Sequence, residues 1–295
     1  MLTVEQLRMR RTGISATDAV ALSGASPWST AHDVYASKVD ESEPSTGSFA
    51  TSLGHELEPI VLRHLAEERG LSLTPGETER HPTLTWALAT PDANVIVLPS
   101  EPRRVAVAEV KVVGARLFSR WSDEEVPDYV AVQCAWQMFV TRTETAYVGA
   151  LLGTELKTYV LSRDAALESA LVELCGRFWE RHVLARRPPE PDGSEAAKRM
   201  LQAAWPRTIA NVVSSTADAE DAARAYLEAK AQREEAAKRE EEAKQKLMVS
   251  IGEAEGIAGP GWQATWKWQP GGRVEAHERK PARVFRFSQK KEKAA

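Results

Sequence analysis

Glu109 and Lys111 stand two apart in the run VAVAEVKVV, residues 105–113, and Asp92 precedes Glu109 by seventeen residues in ATPDANVIVL. Read as a strand, the run places Val105, Val107, Glu109, Lys111 and Val113 on one face and Ala106, Ala108, Val110 and Val112 on the other. Apolar residues on both faces mark a central strand, where an uncompensated carboxylate is costly. A partner charge or a bound cation would offset that cost. Two carboxylates on neighbouring strands, with other positions left to water and phosphate, suit Mg²⁺, which keeps several waters and binds through few carboxylates. A plainer alternative puts Glu109 and Lys111 at a sheet edge, paired with each other or exposed, and reads Pro91-Asp92 as a turn.

Two helices could complete such a site. TSLGHELEPIVLRHLAEERG reads as a helix from about 52 to 69, in which Glu58 falls within the stripe of Val61, Leu62 and Leu65, while Glu56 and Glu67 fall opposite. One glutamate therefore points inward, as a ligand presented through a packed face would. PDYVAVQCAWQMFVT reads as a helix from about 128 to 141, with Gln133 and Gln137 one turn apart on the face of Trp136 and Val140. Inward glutamines need partners, and a backbone carbonyl would serve as well as a catalytic water.

The surrounding pattern is α+β. Strand-like runs TLTWALA, NVIVL and VAVAEVKVV are separated by PD and PSEPRR, and a further helix begins near 163 in VLSRDAALESALVELCGRFWERHV. The sheet is flanked in sequence by helices on both sides.

The chain has 295 residues, 43% of them hydrophobic, enough for one large domain with or without an appendage. ARRPPEPDGS at 185–194 has linker composition, so the first domain is placed at 1–187. Residues 188–260 follow as a linker and a long charged helix, ADAEDAARAYLEAKAQREEAAKREEEAKQKLM. Its heptad path through Ala222, Tyr226, Ala229, Arg233, Ala236, Glu240, Ala243 and Leu247 is too polar for a convincing coiled coil, favouring a solvated helix or helical hairpin over a dimer zipper. In 261–295, Trp262, Ala264, Trp266 and Trp268 alternate with polar residues, QPGG makes a turn, and RVFRF near 283–287 reads as the return strand of a β-hairpin. From Lys267 to Lys293 nine Lys or Arg face three Glu, a basic tail suited either to phosphates or to a solvated strand face.

Composition excludes several classes. The net charge of -4 leaves nucleic-acid affinity to local patches. Cys134 and Cys175 lack CxxC spacing, which argues against zinc ribbons, iron–sulfur sites and disulfide frameworks. No apolar run approaches the ~20 residues of a membrane span, and MLTVEQLRMRRTG lacks the apolar centre of a secretory signal. A cytoplasmic protein with no membrane partner is expected.

The order Gly54-x3-Glu58, Pro91-Asp92, Glu109-x-Lys111, then a helix with Gln133 and Gln137, resembles the core of PD-(D/E)XK nucleases. RRTGISATDAVALSGASPW at 10–28 is similar to the N-terminal segment of YqaJ-like phage recombination exonucleases, relatives of lambda exonuclease. The likeness is continuous from roughly residue 8 to 182 and patchy beyond. It implies an α/β/α restriction-endonuclease-like core, a central mixed sheet flanked by helices, with a C-terminal helical and β-hairpin extension. It also implies phosphodiester hydrolysis by Glu58, Asp92 and Glu109, with the Val110 carbonyl, holding one or two Mg²⁺ or Mn²⁺ ions, and Lys111 assisting the attacking water or the transition state. Ala135 stands where many members carry the second glutamine of QxQ, so either Gln133 or Gln137 would approach the metal.

By the same resemblance Arg11 and Thr17, with Ser15 beside them, would grip a DNA 5′-phosphate. Ser15 to Asp18 also reads as a helix N-cap, and both roles are compatible. The implied activity is 5′→3′ digestion of linear double-stranded DNA ends to 3′ single strands, in a bacterial host or phage-infected cell. A single-strand annealing protein would be the partner and a homo-oligomer, a ring-shaped trimer in the family's processive members, the assembly. Two alternatives remain: a structure- or site-specific endonuclease of the same superfamily, or an inactive protein that binds DNA ends in recombination.

Overall fold

The structure, a computed structural model, describes residues 4–39, 48–97, 103–205, 207, 213–270, 272–274, 277–279 and 282–289. The chain divides into two compact units, Met1–Thr208 and Ile209–Ala295.

The first unit opens with α1 (Val4–Arg11), α2 (Ala16–Leu22), α3 (Ala31–Val39) and the long α4 (Phe49–Arg69). Strands β1 (Ser72–Pro75), β2 (Glu79–Arg80), β3 (Leu88–Ala89), β4 (Ala93–Val97) and β5 (Arg103–Val113) lead through a 3-10 turn to α5 (Asp128–Thr141). Then come β6 (Thr145–Leu152), β7 (Glu155–Ser162), α6 (Ala165–Phe178) and α7 (Glu195–Ala204). Five strands form one sheet in the order β1-β4-β5-β6-β7. Only β5 and β6 run parallel, and α5 is the crossover that parallel neighbours require.

The α+β core is therefore a mixed sheet between helices. On one face Leu65 of α4 packs with Ala93, Val95, Ala106 and Ala108. On the other, Val107 and Val148 join the larger core with Val130, Cys134, Trp136 and Val140 of α5. Both cysteines are buried free thiols. α4 lies close enough to β6 that a Cβ at Gly149 would stand 2.9 Å from the Val61 side chain, so the small residue sets the seat of the helix. Pro59 sits inside α4, directly after Glu58.

Two expectations need adjustment. TLTWALA is not a strand along its length. The Ala87 N–H bonds the Leu84 carbonyl at 2.8 Å and the Leu84 N–H meets His81 Nδ1 at 3.1 Å, so the segment turns and only Leu88–Ala89 forms β3. The division falls at Thr208/Ile209 rather than 187/188, because α7 packs on α3, with Ala196 and Ala197 buried and Arg199 bonded to Asp33 at 3.0 Å. The Pro-rich break is thus an internal loop. PSEPRR lies largely outside the described residues.

In the second unit α8 (Ala217–Ile251) is one continuous helix, not a helical hairpin, and Tyr226 and Leu227 on it are exposed. β8 (Gly256–Gly259) and β9 (Trp262–Gln269) are followed by β10 (Gly272–Val274), β11 (His277–Arg279) and β12 (Ala282–Gln289). β9 pairs antiparallel with β12, Trp266 opposite Phe285, as the return strand predicts, and also with β8, making a three-stranded sheet. QPGG leads into β10, whose ladder with β11 lengthens the expected turn. The lysines from 290 on lie outside the described residues. Among the described residues no helix is long and apolar enough to cross a membrane.

Candidate functional site

The site exists because two neighbouring strands are staggered. β4 begins at Ala93 opposite Ala108, whereas β6 accompanies β5 on to Val113 opposite Leu152. From Glu109 onward, β5 keeps a partner on the β6 edge and has no strand partner on the other among the described residues. The Val110 N–H on that open edge donates to Asp92 Oδ2 at 2.7 Å. In a strand one residue's N–H and C=O leave from the same edge, which places the Val110 carbonyl on the open side as well. A cavity of about 380 Å³ occupies this space, lined by Glu58, Asp92, Glu109, Val110, Lys111 and Gln133 together with Arg10, Thr17, Gly54 and His55.

Glu109 is 3% exposed and would be prohibitively placed without donors. Its Oε1 accepts from Gln133 Nε2 at 2.5 Å and from Lys111 Nζ, and its Oε2 accepts from Gln137 Nε2 at 2.7 Å. Both inward glutamines of α5 therefore find the same partner, the Glu109 carboxylate, through their amide nitrogens. Burial draws the Lys111 ammonium toward neutrality, but Glu109 and Asp92 outweigh it and hold the group above its ordinary range. Asp92 is pushed well above the usual carboxylate range by burial, then by the charges of Glu109 and Glu58, against Lys111 and the Val110 N–H. Burial and the Glu109 charge raise the Cys134 thiol beyond nucleophilic use.

Glu58 reaches the cavity from the inward stripe of α4, half-buried, with His55 Nδ1 3.4 Å from its Oε2. The three carboxylates thus share one cavity. They do not converge as a tight cage: among the described residues no three His, Cys, Asp or Glu side chains are gathered as common ligands of one ion. Glu109 is turned toward its amide and ammonium donors instead. Mg²⁺ asks for less than a cage, since one or two carboxylates with waters and a substrate phosphate suffice. Mutually repelling carboxylates beside a strand carbonyl, all oxygen donors, fit such a hard cation.

The N-terminal segment reaches the same cavity, with a change of arginine. Arg10, not Arg11, lines it, donating through Nη2 to Ser15 Oγ at 3.0 Å and to Thr17 Oγ1. Ser15 is spent as the N-cap of α2 in a capping box with Asp18, donating to Asp18 Oδ2 at 2.7 Å. Thr17 is exposed. Lys38, twenty residues along the chain from Asp18, bonds its Oδ2 at 2.6 Å and the Arg10 carbonyl at 2.7 Å. Burial would raise the Asp18 carboxyl, but Lys38 and Arg10 hold it below its ordinary range. The segment is stitched to β3 by Ile14, whose N–H bonds the Trp86 carbonyl at 2.6 Å and whose carbonyl receives the Leu88 N–H at 2.8 Å. Arg10, Lys38 and His55 were not singled out from sequence. His55 had a signal, its spacing of three before Glu58.

The model of the YqaJ-like viral recombinase domain matches residues 5–144, which hold every side chain of this cavity. YqaJ of Bacillus subtilis (strain 168), an uncharacterized protein, is 28% identical over 283 residues, covering 94% of this chain and 86% of that one. The fold of this chain is similar to that of LHK-Exo, an alkaline exonuclease from Laribacter hongkongensis: 16% identical, covering 69% of this chain and 100% of that one, TM-score 0.51. LHK-Exo in complex with dAMP matches over 68% of this chain and 100% of its own, again at 16% identity and TM-score 0.51. The match to the recombinase domain ends at 144, before β6 begins at Thr145.

Proposed function

We propose that this chain is a metal-dependent deoxyribonuclease that digests linear double-stranded DNA from its ends, 5′→3′, leaving 3′ single strands for recombination. The observation that carries the reading is Glu109, with Lys111 and Asp92, on the open edge of β5, clamped by Gln133 and Gln137. Asp92, Glu109 and the Val110 carbonyl, with Glu58, would hold Mg²⁺ or Mn²⁺, one ion or two. The chemistry so supplied is acidification of a water and neutralisation of charge growing on the phosphate. Gln133 and Gln137 fix the Glu109 carboxylate in one orientation, so it need not reorganise when substrate arrives. Lys111 presents a positive charge to the scissile phosphate from beside Glu109. Arg10, with Thr17, takes the role expected of Arg11, because a guanidinium fork beside a hydroxyl suits a terminal phosphate. Ser15 contributes by fixing the start of α2.

The dAMP complex of LHK-Exo and that protein's description as an alkaline exonuclease support the reading by analogy of fold. A single-strand annealing protein as partner, and a trimer enclosing DNA, belong to the proposal by family resemblance. The test is a time course on linear duplex labelled at its 5′ or 3′ end, with and without Mg²⁺, beside nicked and covalently closed plasmid. Mg²⁺-dependent loss of the 5′ label from linear duplex alone is expected. Cutting of the closed circle as readily as the linear form overturns the exonuclease reading.

A further inference from the structure

A second cavity, of about 360 Å³, adjoins the first and shares Thr17, Lys111, Val112 and Gln133 with it. Its character differs. Val20, Val112, Val113 and Leu117 give it an apolar lining, and Trp28 stands at its side with 65% of its surface exposed. An exposed tryptophan is normally a loose surface residue, but this one is braced. Tyr129, itself buried, meets its ring edge-on at 5.1 Å and 81°, and Tyr129 is backed in turn by Trp121 at 6.4 Å. The loop is fixed as well. Ser26 Oγ accepts the backbone N–H groups of Trp28 at 3.2 Å and Ser29 at 3.0 Å, and the Ser26 N–H is tied to the Val20 carbonyl at 3.2 Å.

We infer that this cavity is a nucleobase subsite in which Trp28 stacks the unpaired terminal base of the strand whose phosphate lies at Lys111 and Glu109. This rests on the nuclease reading above and extends it. A strand whose phosphate sits in the charged cavity must place the attached base within a few ångströms, and the apolar cavity begins at the same lysine. A rigid, open aromatic face flanked by aliphatic side chains offers what a base plane needs and water does not. Ser26 Oγ already accepts the backbone N–H groups of Trp28 and Ser29 and lies 3.1 Å from Ser29 Oγ, so the loop itself uses most of the hydrogen-bonding capacity of Ser26. An aromatic face accepts the plane of any base, as digestion through arbitrary sequence requires.

The test compares release of the first nucleotide from linear duplexes ending in a natural or an abasic nucleotide, placed at the 5′ or the 3′ terminus in separate substrates. Wild type should favour the base-bearing end about ten-fold in kcat/KM, chiefly through KM, Trp28→Ala should remove the preference, and Trp28→Phe should restore most of it. Equal use of both ends by wild type, or a preference that survives in Trp28→Ala, overturns the subsite. An independent arm needs no turnover. Without metal, a short single strand carrying terminal 2-aminopurine should be quenched by wild type at about ten-fold lower protein concentration than by Trp28→Ala. Quenching without digestion would sink the nuclease reading and leave the subsite standing, whereas digestion without base preference or quenching would do the reverse.

Discussion

The two halves of β5 each mix two charged residues with small or branched apolar ones, and they have opposite tasks. Between Arg103 and Ala108 the strand pairs with β4, is joined on its other edge by β6 from Val107, and buries Ala106, Val107 and Ala108 between two helix layers. From Glu109 to Val113 the edge that β4 covered is open, and there Glu109, Lys111, the spare backbone groups of Val110 and the cavity occur, whereas the charges of the first half, Arg103 and Arg104, lie at its outer end, Arg104 paired with Glu79. A sheet interior can host chemistry where a neighbour stops short, because the buried polar groups then face a space substrate can fill.

The sharpest way to break this contrast is to remove charge from the open half. Glu109→Ala or Lys111→Ala should lower the digestion rate by about a thousand-fold while DNA binding, read by gel shift, persists. A drop of less than ten-fold would mean that the open half is not the reactive one. In the closed half, Val107→Ala should cost about 2 kcal/mol of stability, seen as a lower denaturant midpoint, with KM unaltered. An altered KM there would blur the division.

The two inward glutamines illustrate how far sequence reaches. Their spacing on an apolar helix put both in the interior, and α5 runs over the expected residues Asp128–Thr141. That both would meet Glu109 was not readable, because a helix-face argument states direction and not which strand residue lies beneath. The same holds for Glu58, whose inward stripe was clear and whose distance from its fellow carboxylates was not. Arg10 and Arg11 differ by one position, about 100° on a helix, so only the end of α1 decides which reaches Thr17. Lys38 was invisible for a different reason: its partners, Asp18 and the Arg10 carbonyl, depend on how α3 lies against α1. TLTWALA misled because apolar and β-branched residues favour a strand, whereas the His81 ring and the turn at Leu84–Ala87 are tertiary detail.

Smaller effects sharpen the comparison at its margins. Arg10→Ala should erase most of the preference for 5′-phosphorylated over unphosphorylated ends, about ten-fold, with the rate on unphosphorylated ends little altered. An unchanged ratio would remove Arg10 from the terminal-phosphate pocket. On α8, far from either half in sequence, Lys244→Ala removes an exposed pair with Glu241 and should shift stability by less than about 0.5 kcal/mol. A larger loss would show that the long helix is less solvated in solution than its exposure implies.

Pro59 carries one more consequence. Lacking an N–H, it cannot donate to the carbonyl of His55 one turn earlier, and its ring crowds that oxygen. α4 continues through this point but lacks one rung beside Glu58, between a seat fixed at Gly149 and a mouth that borders the reactive space. The turns that carry Gly54, His55 and Glu58 to the cavity are thus knit to the rest of the rod by one bond fewer, while Val61 and Leu65 beyond them hold the helix to the sheet.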